Sequence, residues 1–208
     1  MEFSEIFESP SSPTIWSQLA KEIGAQYWEQ PADYNNLGGN GRTVLLTVEG
    51  WTIWLEAYSP SGRGSVHPAG PEMVRMRAPY ENRDGFLFAI SRKHFLTGVE
   101  KFLGMQDIEV GDSGFDDEFV IKGNDEVKVR ALFANPRLRQ LIRSQPYVLM
   151  QNRKSEILPA SNSLEERTAR NELYFQVRPD QSRDLARLKS LFELLTETLK
   201  QLRSIGSA

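Results

Sequence analysis

The chain is predicted to fold as a single α+β domain: a mainly antiparallel sheet with an N-terminal helix, a central helix pair and a long C-terminal helix packed on the sheet. Three observations predict it. Across Trp51–Tyr58, apolar Trp51, Ile53, Leu55 and Ala57 alternate with Thr52, Trp54, Glu56 and Tyr58, the period of a strand buried on one face. Asn135-Pro136 sets a capping side chain before a residue suited to the first helical turn. Leu185, Leu188, Phe192, Leu195, Leu199 and Leu202 recur at helical spacing, and Leu191 and Leu194 widen the stripe to suit a helix lying on a sheet.

In chain order, residues 1–10 read as a loose tail and 11–205 as the domain. Ser12-Pro13 predicts a cap and start for an amphipathic helix over 13–24, with Ile15, Trp16, Leu19, Ala20 and Ile23 on one side. Residues 30–42 read as loop. Strands are expected at 43–48 and Trp51–Tyr58, joined by a tight Glu49-Gly50 turn. A Gly/Pro/Ser loop at 59–72 leads to a strand at 73–78, with Val74 and Met76 inward and Arg75 and Arg77 outward. A further strand at 85–92 carries Phe86, Phe88 and Ile90, and the four strands suggest a sequential meander.

A short helix is expected at 95–103 and a strand at 119–122. Asn124 is read as the cap of the next helix, with Asp125 and Glu126 at its positive end. Strands at 147–150 and 156–158, a polar loop at 160–170, a strand at 172–177 and the long helix at 182–205 complete the pattern.

Composition narrows the functional classes. The 208 residues contain no cysteine, which excludes disulfides, thiolate zinc sites and cysteine nucleophiles and fits a reducing cytoplasm. Net charge is −3 with both signs interspersed, without the basic footprint of a nucleic-acid binder. No apolar run approaches the ~20 residues of a membrane helix, and the acidic start MEFSEIFESPSSP is not the pattern of a signal peptide.

The segment FDDEFVIKGNDEVKVRALF, the Trp-rich hairpin before it and the strand with Arg75-Met76-Arg77 together resemble a group of uncharacterised bacterial proteins of unknown function. The resemblance spans most of residues 15–200. It implies a bacterial, cytosolic protein and brings no known activity, so it transfers no catalytic residues.

The residues themselves offer two constellations. Trp54, Glu56 and Tyr58 share the outward face of one strand, and Arg75 and Arg77 that of the next. If the strands pair, guanidinium groups can stack on the rings, and Trp, Tyr and Arg are the residue types that dominate binding hot spots. The leading expectation is a non-enzymatic binding or scaffolding domain, its partner an unidentified protein or small acidic ligand. The plain alternative is a sheet face laced for stability. Leu188, Phe192, Leu195 and Leu199 form the second constellation, a heptad-like seam suited either to a homodimer interface or to packing within the chain.

Glu56 with Arg75 or Arg77 is the candidate for a small-ligand sensor or a carboxylate-based enzyme. The acidic run Asp107, Glu109, Asp112, Asp116, Asp117, Glu118 lacks the order of an EF-hand loop and reads as a solvated turn, so no metal site is expected. His67 and His94 lack a nucleophile elbow. Gly38-Gly39-Asn40-Gly41-Arg42 precedes a strand, whereas a P-loop precedes a helix. Arg92-Lys93-His94 before 95–103 is the candidate for peripheral membrane contact. No catalytic residue and no cofactor is assigned.

Overall fold

The computed structural model describes residues 14–30, 41–58, 73–93, 106–154, 170–178 and 181–208. Among them, nine antiparallel strands form one sheet in the order β1-β2-β3-β4-β9-β8-β5-β7-β6. The strands are β1 Gln26–Gln30, β2 Gly41–Val48, β3 Trp51–Tyr58, β4 Met73–Glu81, β5 Phe88–Arg92, β6 Gln106–Asp107, β7 Phe119–Gly123, β8 Leu149–Lys154 and β9 Arg170–Val177. The helices are α1 Ile15–Ile23, α2 Ser113–Glu118, α3 Glu126–Phe133, α4 Pro136–Arg143 and α5 Leu185–Ser204, the last preceded by a 3-10 turn at Gln181–Arg183.

Local chemistry explains most element ends. Thr14, not Ser12, caps α1: its side chain accepts from the Ser17 N–H, and Gly24 closes the helix in the left-handed region at φ 69°. The β2–β3 hairpin turns at Glu49 (φ 50°) and Gly50 (φ 87°), the positive dihedrals that a tight hairpin demands. Asp125 caps α3 in place of the expected Asn124. Asn124 instead accepts from the Leu87 N–H and donates to the Gly85 carbonyl, clamping the approach to β5. Asn135 caps α4 as expected, accepting from the Arg137 and Leu138 N–H groups.

The meander holds for β2, β3 and β4, with β1 as an added edge strand inside a stretch that carried no strand expectation. It fails at β5. Two strands from the C-terminal half, β9 and β8, lie between β4 and β5. Buried Asn152 of β8 ties the insertion together: its Oδ1 accepts from the Phe88 N–H, and its Nδ2 donates to the Tyr80 hydroxyl and the Phe86 carbonyl at 2.7–2.8 Å. The strand read as 85–92 is shortened to β5 because residues 82–87 are a turn held by Asn82 and Asp84.

The core lies between the sheet and its helices. Ile53, Leu55, Met76, Leu173, Phe175, Met150 and Ile90 fall on one sheet face and are fully buried. Leu188, Phe192, Leu195 and Leu199 of α5 are buried in the same core, at 0%, 3%, 0% and 0% exposure. Of the two readings of this stripe, homodimer seam or packing within the chain, the four side chains are covered within the chain, where a buried Leu or Phe side chain contributes about 1.5–3 kcal/mol. Trp16 of α1 reaches the C-terminal half, its indole N–H donating to the Ser182 carbonyl at 3.0 Å.

Close packing appears at Gly123, where α3 meets β7. A Cβ there would stand 2.5 Å from Val129 Cγ2 and 3.2 Å from the Leu87 carbonyl oxygen, so only glycine fits. Residues 59–72, 94–105 and 155–169 lie outside the described residues. With them go the expected helix at 95–103, the strand at 156–158 and both histidines.

Candidate functional site

The β3–β4 register sets Trp54 opposite Arg77 and Glu56 opposite Arg75. Directly opposed residues project from the same face with Cβ atoms about 4.5–5.5 Å apart, so these four side chains meet on the face turned away from the helices. Arg77 makes a two-pronged contact with Glu56: Nε to Oε2 and Nη2 to Oε1, both at 2.7 Å. Arg75 Nε adds a third hydrogen bond to Oε2 at 3.0 Å. The Arg77 guanidinium also lies over the Trp54 ring, 4.6 Å from its centroid. The planar guanidinium suits both tasks, presenting edge donors to a carboxylate and a face to an indole.

The array extends beyond the residues singled out from sequence. Tyr174 of β9 pairs with Arg77 on one side and with Gln151 of β8 on the other, and Glu172 pairs with Arg153. Arg153 Nε donates to Glu172 Oε1 at 2.8 Å, and its guanidinium stacks 3.8 Å from the Tyr174 ring centroid. Glu172 Oε2 lies 4.0 Å from Arg77 Nη1. A continuous ladder thus runs Trp54, Arg77, Glu56, Arg75 on β3 and β4 and on through Glu172, Tyr174 and Arg153. Glu172 is its most deeply buried member, at 0% exposure, flanked by Arg77 at 13% and Arg153 at 22%, while Glu56 and Arg75 are 19% exposed. Tyr58 joins the register opposite Met73, and its side chain lies outside the described residues.

Both Glu56 oxygens are engaged by guanidinium donors, which makes the carboxylate a tie between β3 and β4. The acidic run also has a structural role. Only its second half is helical: Asp116, Asp117 and Glu118 lie in α2, while Asp107 ends β6 and Glu109 is exposed chain. Asp112 caps α2 by accepting from the Phe115 N–H, which holds its carboxyl below the usual range. Asp116 accepts from the Val110 and Gly111 N–H groups. Glu118 is gripped by Arg92 at 2.9 Å and Arg143 at 3.0 Å. Among the described residues no group of His, Cys, Asp and Glu side chains could hold a metal ion, and no helix is long and apolar enough to cross a membrane.

A separate cleft of about 380 Å³ opens beside β6 and β7, with Ile108, Phe119 and Ile121 among its lining and Lys93, Glu109 and Arg130 adding charges of both signs. Gly41 and Arg42 of the glycine-rich segment belong to β2, and residues 38–40 lie outside the described residues.

No protein-family model matches the chain, and no curated protein sequence does so. A solved structure, that of the mycobacterial trehalose monomycolate transport factor A, TtfA, is similar with a TM-score of 0.48 at 10% sequence identity, covering 90% of this chain and 92% of that one. Nothing about function follows from a similarity that distant.

Proposed function

We propose that the chain is a non-enzymatic binding domain whose recognition surface is the outer face of β3 and β4, centred on Trp54 and Arg77, and whose partner is a protein presenting acidic groups. One observation carries this reading: Arg77 is fixed by Glu56 while its guanidinium lies against a partly exposed Trp54. A tryptophan and an arginine held on a rigid sheet lose little conformational freedom on binding, and these residue types dominate interface energetics. Acidic partner groups suit a ladder in which Arg75, Arg77 and Arg153 outnumber Glu56 and Glu172.

The test is affinity capture from a lysate of the source organism. Wild-type chain is compared with a Trp54→Ala/Arg77→Ala variant shown by circular dichroism to remain folded. A partner held by wild type and lost by the variant supports the reading. Capture of the same proteins by both chains, or by neither, contradicts it.

A further inference from the structure

The two edges of the sheet are built differently. The β6 edge is two residues long and ends in Asp107, and short, charged edge strands resist pairing with another chain. The β1 edge has neither lysine nor proline over its five residues, Gln26-Tyr27-Trp28-Glu29-Gln30. Among the described residues no strand lies beyond it. Trp28 is one of the exposed large hydrophobic side chains, at 36%. Among the described residues this edge is unpaired and uncharged at its centre, a template for an added strand.

The sequence of β1 specifies which strand fits. In an antiparallel pairing of two copies about a two-fold axis through Trp28, all five residues find partners: Trp28 meets Trp28, Tyr27 meets Glu29 and Gln26 meets Gln30. The only charged residue, Glu29, then faces a tyrosine. Moving the axis to Glu29 would oppose two carboxylates, and any other shift leaves residues unpaired. The Tyr27 hydroxyl already donates to Glu29 within one strand, so the two groups are chemically matched for the exchange. Trp28 pairs with Thr43, and Thr43 with Glu56, so Trp28 lies on the outer face of the sheet. The paired tryptophans would stack there, offset from the helices.

We infer that the partner of the β1 edge is a second copy of this chain, joined through β1 into a continuous sheet of two molecules. This stands independently of the proposed binding face. A five-residue edge buries little area, which makes the dimer weak and concentration-dependent.

The absence of native cysteine allows a test specific to register. Gln26→Cys and Gln30→Cys variants of the full chain are oxidised separately and as an equimolar mixture. The pairing sets position 26 of one copy opposite position 30 of the other, within disulfide reach, and holds the two copies of position 26 about 14 Å apart. The expected result is a disulfide dimer from the mixture at least ten-fold above either variant alone. In parallel, sedimentation velocity should show wild-type mass rising from 23.7 kDa with concentration, while Trp28→Lys stays at one chain with an unchanged melting temperature. Cross-linking that is equal in all three samples, or absent from the mixture, overturns the inference.

Discussion

Arg77 holds Trp54 and Glu56 at once: its guanidinium carbon is 4.6 Å from the indole centroid, and two of its nitrogens donate to the carboxylate at 2.7 Å. Lysine carries the same charge but cannot make both contacts. Arg77→Lys is therefore expected to cost about 1–2 kcal/mol, a melting-temperature fall of ~3–6 °C for a domain of this size. Trp54→Ala, on the outer face, should leave the fold intact, with a fall below ~10 °C. A larger fall in thermal melts would mean that Trp54 carries the core.

Glu172 is the fully buried carboxylate of the ladder, and Arg153 donates to it at 2.8 Å. Removing one partner of a buried ion pair leaves the other desolvated. Glu172→Ala should destabilise by about 3 kcal/mol in urea unfolding, more than Glu56→Ala, whose own carboxylate is 19% exposed. Equal effects would contradict the difference in burial between the two carboxylates.

Asn152 satisfies three groups around the inserted strand β8. Asn152→Leu preserves approximate volume and strands the Phe88 N–H and the Tyr80 hydroxyl, while the Phe86 carbonyl keeps its bond from Asn82. The expected loss is about 2–4 kcal/mol, accompanied by faster hydrogen exchange at the Phe88 amide. An unprotected Phe88 amide already in wild type would contradict the bond.

Burial pushes the Tyr80 hydroxyl up to about 12 from its ordinary value of 10.0. The folded state thus holds this proton more tightly than the unfolded chain. Its contribution is present below pH 10 and is lost as pH rises from 10 to 12, by up to about 2–3 kcal/mol. Urea melts between pH 9 and 12 should fall less steeply for Tyr80→Phe than for wild type. Parallel curves would place Tyr80 in contact with water.

Gly123→Ala would drive a Cβ to within 2.5 Å of Val129 Cγ2 and 3.2 Å of the Leu87 carbonyl oxygen. Separating α3 from β7 should cost about 1–3 kcal/mol, read as a lower urea midpoint with an unchanged slope. A neutral substitution would show that the two elements slide apart freely.

The contrast between Trp54 and Glu172 shows where the sequence is legible. The strict alternation of Trp51–Tyr58 and the Arg75/Arg77 spacing give the inward and outward faces, and a sequential hairpin needs only local pairing, so four of the ladder's residues emerge together. Glu172, Tyr174 and Arg153 join through β4–β9 and β8–β9 contacts, and the sequence separation between β4 and β9 leaves no local trace. The alternation of Leu173, Phe175 and Val177 with Glu172, Tyr174 and Gln176 does mark an outward set, but not its neighbour.

The misplaced β5 has the same cause: local pattern gives the strand, while Asn152 and the insertion of β8 and β9 give its position. The helical second half of the acidic run is different. In α2 a six-residue helix contains Gly114, which weakens the helical pattern although the Asp112 cap is present.

The most direct test of the binding face uses a photo-activated cross-linking residue at Thr52, two positions from Trp54 on the same face, and a control at Val127, 77% exposed on α3. After irradiation in a lysate of the source organism, the account predicts a discrete, saturable adduct at position 52, absent at 127 and abolished by Trp54→Ala/Arg77→Ala. Equal adducts at both positions, or an adduct at 52 that survives the double substitution, would contradict it.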